Sequence, residues 1–209
     1  MMTDEQAVVF VVDDDGLVRD SVGDLLRSVG FEVETFGSAQ EFLRSKRRDA
    51  PGCIVLDVRL PGASGLDFQR TLRESNIRLP VIIISGYGDI SMSVQAMKSG
   101  AIEFLTKPLR PQDLLDAVQA GVGRDRARWA QAKSIVDLQV RFDSLTPRER
   151  AVLTLAISGR PTKQIAASLE VSERTVKAHR GQVMRKMQAK SLVDLVRMAD
   201  VLGISGRNH

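Results

Sequence analysis

Three consecutive carboxylates, Asp13, Asp14 and Asp15, follow directly after an apolar run at residues 7–12. Neighbouring carboxylates repel one another, so ionising all of them costs free energy unless a cation lies close by. Oxygen ligands of this kind select a hard divalent ion such as Mg²⁺. The sequence therefore predicts a magnesium site at the end of this run.

Three further residues that could do chemistry, Asp57, Ser85 and Lys107, also lie at the ends of short apolar runs. An aspartate beside Mg²⁺ can attack a phosphoryl group and form an acyl phosphate. A hydroxyl and an ammonium nearby are groups that phosphoryl oxygens would contact. Each feature alone is weak, because an acidic pair after a strand is often only a turn or a helix cap. Together they predict phosphoryl chemistry at Asp57.

Five apolar runs alternate with segments of helical period through the first 123 residues. The strongest are residues 8–12, 54–58 and 81–84, and weaker ones lie at 32–36 and 102–105. Such alternation predicts right-handed βαβ units, and hence an α/β doubly wound five-stranded parallel sheet covered on both faces. Ligands of such sheets bind beyond the carboxyl ends of the strands, so the polar residues above are expected to converge there.

Charge divides the chain into two parts. Residues 1–123 hold 13 Lys and Arg against 18 Asp and Glu, a net of −5, whereas residues 124–209 hold 17 against 8, a net of +9. The basic part is expected to face a polyanion. We predict a first domain at residues 1–122, a helical linker at 123–143 and a small all-α domain at 144–209. The linker either pairs with its counterpart in a dimer or is a plain solvated helix.

Composition excludes several classes of protein. The hydrophobic fraction of 43% argues against wholesale disorder. No apolar run approaches the roughly 20 residues of a membrane helix, and no signal peptide is evident, so no membrane partner and a cytoplasmic location are expected. Cys53 is the only cysteine, which rules out an intrachain disulfide and indicates a small core residue.

The basic part carries the signals of a helix-turn-helix domain. Thr146, Pro147 and Glu149 form a capping box that fixes a helix start. A second helix is predicted to begin at Thr162, and Ser172 is predicted to cap a longer one that ends near residue 187. Two helices joined by a turn of three or four residues predict a helix-turn-helix, whose second helix enters the DNA major groove. A final helix is predicted at residues 191–202.

The longer helix has two different faces. At 100° per residue, its core face carries Val176, His179, Val183 and Met187. The opposite face carries the candidate DNA-contacting residues Arg174, Lys177, Ala178, Gly181 and Arg185. Arginine and lysine bind phosphates or guanine edges, and small residues let the backbone approach the groove. A solvated cationic face is the alternative, which the turn and the net charge disfavour.

The motifs VVDDD, VLDVRLPGASGLDF and IIISGYGDISMSVQAMKSGAIEFLTKP together resemble the receiver domain of bacterial two-component response regulators, over residues 7 to about 120. The resemblance implies a flavodoxin-like fold with Asp57 as the phosphoacceptor. It also implies that Asp13 and Asp14 bind Mg²⁺ together with Asp57, and that the backbone carbonyl of Arg59 completes the protein ligands. Asp15 falls outside this set and is expected near the next helix start.

The same resemblance assigns the switch residues. Ser85 would shift toward the phosphoryl group, Lys107 would contact it, and the peptide bond from Lys107 to Pro108 is expected to be cis. Phe104 matches the aromatic residue that turns inward on activation. Ser85 stands where threonine is commoner, which keeps the hydroxyl but loses a methyl that restricts its rotamer. Phe104 stands where tyrosine is also found, so a switch there cannot depend on a ring hydroxyl.

The stretch SLTPRERAVLTLAISGRPTKQIAASLEVSERTVKAHRGQVMRKM resembles the LuxR/NarL-type DNA-binding domain, over residues 144 to about 203. The resemblance implies that Lys177 and Ala178 lie at the DNA interface. It also implies that Thr162, Lys163 and Thr175 contact the DNA backbone and that the last helix forms a dimer interface. Gly181 departs from the family, because a larger polar or basic residue is frequent there; glycine should cost the helix about 1 kcal/mol relative to alanine.

A receiver joined to this domain by a long helix is similar to the FixJ branch of response regulators. The expected function is a phosphorylation-activated transcriptional regulator, not an enzyme. Its expected partners are a sensor histidine kinase, double-stranded promoter DNA, RNA polymerase and, on activation, a second copy of the chain. Two alternatives remain: a DNA-binding regulator that works without phosphorylation, and a Mg²⁺-dependent phosphohydrolase, which the lack of a second acid or base at the strand ends disfavours.

Overall fold

The chain divides into two compact units, Met1–Trp129 and Ala130–His209. A computed structural model describes residues 6–60, 63–86 and 90–204. Each unit has its own hydrophobic clusters. The predicted limits of the three segments, 1–122, 123–143 and 144–209, stay a prediction.

A five-stranded parallel sheet forms the centre of the first unit. Its strands are β1 (Val8–Val12), β2 (Glu32–Phe36), β3 (Gly52–Asp57), β4 (Val81–Ser85) and β5 (Glu103–Thr106). They lie in the order β2-β1-β3-β4-β5, and every pair is parallel. The strand order reverses between β1 and β3, which is the point where such sheets bind ligands. The prediction of an α/β doubly wound sheet is confirmed.

Helices cover both faces of this sheet. They are α1 (Gly16–Ser28), α2 (Ala39–Arg44), α3 (Gly65–Glu74), α4 (Ile90–Lys98) and α5 (Pro111–Asp143). Side chains alternate along a strand, so β1 supplies Phe10 to one cluster, with Phe42 and Phe68, and Val9 to the other, with Leu26. Burial on both faces explains why the strands are continuous apolar runs.

Helix α5 is one continuous helix of 33 residues. It includes residues 123–143, the segment predicted as a helical linker. Gly121 lies inside this helix, where its backbone packs directly on β3. A Cβ atom there would lie 3.0 Å from the Cβ of Cys53.

Cys53 is fully buried. Burial, with a smaller contribution from the charge of Asp125, raises the pKa of its thiol to about 12. The thiolate is the reactive form of cysteine, so Cys53 is a core residue, as predicted.

The second unit is built from four helices after α5: α6 (Pro147–Ile157), α7 (Thr162–Leu169), α8 (Glu173–Met187) and α9 (Leu192–Val201). The capping box of Thr146 and Glu149 is present, and Ser172 caps α8 as predicted. Residues 170–172 form the turn between α7 and α8, with Glu170 in the left-handed region at φ 54°. The predicted helix-turn-helix is confirmed.

Two observations complete the fold. Arg59–Leu60 pairs with Ala63–Ser64 in a short antiparallel hairpin after β3, which the sequence did not indicate. No helix within the described ranges has both the length and the apolar character required to cross a bilayer.

Candidate functional site

Two carboxylates and one ammonium meet at the carboxyl edge of the sheet. Lys107, which follows β5, places its Nζ atom 2.7 Å from Oδ2 of Asp13 and 2.7 Å from Oδ1 of Asp57. Asp13 follows β1 and Asp57 ends β3, so three different strands supply the three charges. The convergence predicted from the strand ends is confirmed for these residues.

Backbone groups hold the second oxygen of each carboxylate. The amide of Asp15 donates to Oδ1 of Asp13 at 2.9 Å, and the amide of Arg59 donates to Oδ2 of Asp57 at 2.5 Å. The start of α3 packs on the same place, because a Cβ atom on Gly65 would lie 2.4 Å from the carbonyl oxygen of Asp57. Only glycine fits there, so the packing explains the second glycine of the motif PGASG, Gly65.

Burial sets the electrostatics of the pair. Asp13 is 0% exposed and Asp57 is 4% exposed. Burial raises the pKa of Asp57 above its ordinary value; the hydrogen bond from Lys107 opposes this shift, and the charge of Asp13 adds to it. Burial alone would lower the pKa of Lys107, but the hydrogen bonds to both aspartates outweigh it, so that pKa lies above its ordinary value. The ammonium is thus kept charged between two carboxylates.

The other two aspartates of the opening motif have different surroundings. Asp14 is exposed. Asp15 is the N-cap of α1, where its side chain accepts hydrogen bonds from the amides of Leu17 and Val18, which confirms its predicted place at the helix start. Among residues 6–60, 63–86 and 90–204, no three His, Cys, Asp or Glu side chains come close enough together to form a metal site in this geometry. Asp13 and Asp57 share Lys107 instead.

The predicted switch residues lie on the neighbouring strands. Ser85 ends β4 and is 1% exposed, with its Oγ atom 3.8 Å from Sδ of Met92 in α4. Phe104 on β5 is half-buried and packs against the core cluster that contains Phe10. The peptide bond from Lys107 to Pro108 is cis, as predicted.

Two residues of the first unit support the site without having been predicted. Arg19 in α1 donates from Nη1 to the carbonyl oxygen of Asp13 at 2.6 Å. Asp125 in α5 is 1% exposed and accepts from the amide of Gly52, the first residue of the strand that ends in Asp57, at 2.9 Å. A sequence signal existed for Asp125: it continues the helical spacing of the buried residues Val118 and Val122, so a charge falls on the core face.

The second candidate surface is one face of α8. Its inner side buries Val176, Val183 and Met187, and His179 is half-buried beside them. The predicted outer face is exposed throughout: Arg174, Lys177, Ala178, Gly181 and Arg185. A Cβ atom on Gly181 would meet no described atom within 4 Å, so no packing within the domain requires glycine there.

The predicted backbone-contacting residues differ in exposure. Lys163 is exposed. The hydroxyl of Thr162 accepts from Nη1 of Arg180 at 3.2 Å, and the hydroxyl of Thr175 lies 2.8 Å from that of Ser172. Both threonines are therefore already engaged in hydrogen bonds that fix the ends of α7 and α8, and any contact with DNA would add to those bonds.

An ion pair that the sequence did not indicate joins α8 to α6. Nζ of Lys186 lies 2.6 Å from Oε2 of Glu149 and 3.1 Å from the carbonyl oxygen of Ser144. Glu149 is 5% exposed. The hydrogen bond from Lys186 and the amide of Thr146 hold the pKa of Glu149 below its ordinary value, against the opposing effect of burial. One buried carboxylate thus caps α6 and positions α8.

Comparisons with known proteins agree with this architecture. The family model for the response regulator receiver domain matches residues 9–119, and the model for bacterial regulatory proteins of the luxR family matches residues 143–199. The chain belongs to the response regulators. The receiver match contains the whole carboxylate site, and the luxR match contains the whole helix-turn-helix.

Several relatives match this chain over most of its length. Nodulation protein W of Bradyrhizobium diazoefficiens is 53% identical over 204 residues, which cover 98% of this chain and 89% of that protein. The transcriptional regulatory protein FixJ of Rhizobium meliloti is 40% identical over 191 residues, 91% of this chain and 94% of that protein. The low-resolution structure of the response regulator StyR matches with a TM-score of 0.82 and 46% identity, covering 93% of this chain and 98% of that one.

These matches decide the class of the protein. It is a response regulator of the FixJ type, a transcriptional regulator with a receiver and a LuxR-type DNA-binding domain. A receiver implies a histidine kinase as partner, and the LuxR-type domain implies DNA. The relatives are regulators and not hydrolases, which agrees with the expectation that this chain is not an enzyme.

Proposed function

We propose that Asp57 accepts a phosphoryl group from a sensor histidine kinase and that this modification controls DNA binding through α8. One observation carries the proposal: Asp13 and Asp57, from the two strands that flank the switch point, share one ammonium at 2.7 Å each. Burying two carboxylates costs free energy unless their charges are used or compensated. A site for an incoming phosphoryl group accounts for that arrangement.

The transfer uses the chain's own groups as follows. A carboxylate oxygen of Asp57 attacks phosphorus, the bond from phosphorus to the kinase imidazole breaks, and the imidazole leaves with the bonding electrons. Lys107 is already within hydrogen-bond distance of Oδ1 of Asp57. Its ammonium can therefore contact the transferred phosphoryl oxygens and offset their charge. The amide of Arg59 holds the other oxygen of Asp57 in place during the attack.

The charges at this edge fit a divalent cation. Asp13, Asp14 and Asp57 carry three negative charges against the single positive charge of Lys107, and all of the available donors are hard oxygens, which Mg²⁺ prefers. Mg²⁺ would be held by Asp13, Asp14 and Asp57 with the backbone carbonyl of Arg59. Exposed Asp14 would first have to turn toward the other two carboxylates, because the three do not form a metal site in this geometry. When bound, the ion would neutralise charge on the phosphoryl group.

Phosphorylation of Asp57 would change the positions of Ser85 and Phe104. Ser85 already contacts α4 through Met92, so a shift of its hydroxyl toward the phosphoryl group would change the contact between β4 and that helix. Met92 and Ile102 are partly buried against the core clusters. The exposed apolar side chains of α4 are Ile90, Val94 and Met97, at 84%, 45% and 47%. This face is the proposed contact for homodimerisation on activation.

The DNA-binding step uses the exposed face of α8. Arg174, Lys177 and Arg185 supply positive charge, while Ala178 and Gly181 leave room for the backbone to approach the groove. Thr162, Lys163 and Thr175 lie at the starts of α7 and α8, where phosphate contacts position a helix-turn-helix. Two copies would then read two half-sites of promoter DNA, in the cytoplasm, with RNA polymerase as the downstream partner.

The test is phosphorylation with acetyl phosphate and Mg²⁺, read by intact mass. Wild type should gain one phosphoryl group, Asp57→Asn should gain none, and Asp15→Asn should behave as wild type, because asparagine also serves as an N-cap. Duplexes selected from a random pool should then bind phosphorylated wild type more tightly than Asp57→Asn. Absence of phosphoryl uptake by wild type would contradict the proposal and favour a phosphorylation-independent regulator. Continuous release of phosphate without an accumulating phosphoprotein would favour a phosphohydrolase.

A further inference from the structure

A cavity of about 330 Å³ lies at the opposite edge of the receiver sheet from Asp57. It is lined by the segments just before β3 and β4 and by the part of α5 around Trp129. Because β3 has six residues at about 3.3 Å each, the two edges are roughly 17–20 Å apart. The cavity thus lies far from the phosphoryl chemistry.

Four arginines line this cavity: Arg47, Arg48, Arg78 and Arg128. Two of them are neutralised by the chain itself, because Arg48 pairs with Glu32 and the Nε atom of Arg128 lies 2.7 Å from buried Asp125. Asp49 adds one carboxylate to the lining. The lining therefore retains an excess of positive charge.

The other two arginines are held in place by neutral groups. Arg47 donates to the carbonyl oxygen of Phe42 at 3.0 Å, with its guanidinium 4.8 Å from the centroid of that ring. Nε of Arg78 donates to Oδ1 of Asn76 at 3.1 Å. Among the described residues neither has a carboxylate within salt-bridge distance. A guanidinium has five N–H donors, so most donors of both side chains stay available in a fixed geometry that suits carboxylate or phosphate.

Trp129 adds an unused donor to the same wall. Its indole Nε1 is buried and has no hydrogen-bond acceptor within the described part of the chain. Buried donors of this kind are uncommon, because water cannot satisfy them. The guanidinium of Arg128 lies 6.0 Å from the ring centroid, and both residues line the cavity.

We infer that this cavity binds a small anion with two or more negative charges, a phosphate compound or a dicarboxylate, between Arg47, Arg78 and Trp129. The anion supplies the countercharge that the chain does not supply to Arg47 and Arg78. It also joins the segments before β3 and β4 to α5 beside Asp125, the residue that caps the strand ending in Asp57. The site is separate from the phosphoryl site and does not depend on it.

Trp129 makes the inference directly measurable, since it is the only tryptophan of the chain. The full-length protein is titrated with inorganic phosphate or with succinate at constant ionic strength, held by chloride, while the indole emission is recorded. A saturable change is expected with at least one of the two. Tighter binding of phosphate identifies the ligand class as phosphate compounds, and tighter binding of succinate identifies it as dicarboxylates.

Charge-matched variants separate a site from general attraction. Arg47→Gln and Arg78→Gln should each weaken binding at least tenfold, whereas Arg44→Gln, an exposed arginine of α2 outside the cavity, should leave it unchanged. Calorimetry on Trp129→Phe, which keeps the ring plane but loses Nε1, should show binding weakened several-fold. An unchanged far-UV circular dichroism spectrum and an unchanged midpoint of thermal unfolding verify that each variant is folded. No saturable change in wild type, or wild-type affinity in both arginine variants, would overturn the inference.

Discussion

The phosphoryl site and the DNA-facing side of α8 use charge in opposite ways. Asp13 and Asp57 are almost completely buried, and both pair with the ammonium of Lys107. Lys177 and Arg185 are exposed and lie on the same face of α8 as Arg174. Buried charges interact strongly but are costly to leave unpaired, whereas exposed charges are screened by salt and contribute little to stability.

This difference predicts how each region responds to substitution. In the buried site, removal of the shared ammonium of Lys107 leaves two carboxylates without a countercharge, so stability and chemistry should fail together. On the exposed face a single change removes one of several contacts, so only DNA affinity and its salt dependence should change. Four substitutions test this contrast, from the largest expected change to the smallest.

Replacing Lys107 with methionine should have the largest effect. The two buried carboxylates would face each other without a cation, which should lower the free energy of unfolding of the receiver by about 3–5 kcal/mol in the absence of divalent ions. Urea denaturation measures this, and added Mg²⁺ should restore more stability to Lys107→Met than to wild type. Lys98→Met, at the exposed end of α4, is the matched control. A Lys107 variant as stable as wild type without Mg²⁺ would contradict the buried-network account.

The buried pair of the DNA-binding domain should give the next largest effect. Glu149→Gln should cost about 2 kcal/mol at pH 7, because it removes a charge-assisted hydrogen bond to Lys186. The pKa of Glu149 is lower in the folded state than its ordinary value of 4.5. The contribution of ionised Glu149 to the free energy of unfolding is therefore fully present above pH 4.5. It is lost as the pH falls through the lower folded-state pKa.

Thermal unfolding at several pH values measures this effect, when it is followed through the unfolding transition of the DNA-binding domain. The stability gap between wild type and Glu149→Gln should be constant above pH 4.5 and should narrow in more acidic solution. Glu173→Gln, an exposed residue in the first turn of α8, is the control for acid effects on the whole domain. A gap that stays the same below pH 4.5 would rule out the ion pair as the cause.

Lys177→Ala should change affinity without changing stability. One lost phosphate contact should reduce the magnitude of the slope of log K against log salt by about 0.9, and the unfolding free energy should change by no more than about 0.5 kcal/mol. Fluorescence anisotropy with a selected duplex at several salt concentrations measures the slope. Lys133→Ala, an exposed residue of α5, should leave it unchanged. An unaltered slope in Lys177→Ala would mean that Lys177 does not contact phosphate.

Gly181→Ala should be the only one of these substitutions that raises stability. Alanine costs an exposed helix about 1 kcal/mol less than glycine, and its Cβ would meet nothing within 4 Å. If the glycine lets the backbone approach DNA, the more stable variant should bind the selected duplex less tightly. Increased stability with unchanged DNA affinity would mean that the groove does not require glycine at this position.

The contrast also explains what could be predicted from the sequence. The sheet and the meeting of Asp13, Asp57 and Lys107 followed from the strand ends, because parallel strands bring their carboxyl ends to one edge. The exposed face of α8 followed from helical periodicity. Both are properties of regular backbone geometry, for which spacing along the chain is sufficient.

Contacts between distant segments could not be predicted in this way. The pairs Asp125 with Gly52 and Lys186 with Glu149 join residues far apart in sequence. The helical spacing places Asp125 on the core face, but spacing along the chain identifies the partner of neither pair. Periodicity alone likewise does not show that Met92 of α4 packs against the core. The close packing of Gly121 against Cys53 is another such contact, because spacing along the chain does not indicate it.

The central claim is that a phosphoryl group on Asp57 controls DNA binding through α8. The most direct measurement is the dissociation constant for one selected duplex, at one salt concentration, before and after treatment with acetyl phosphate and Mg²⁺. The account predicts at least tenfold tighter binding by wild type after treatment and no change for Asp57→Asn. Identical dissociation constants for wild type before and after treatment, with phosphoryl uptake verified by mass, would contradict it.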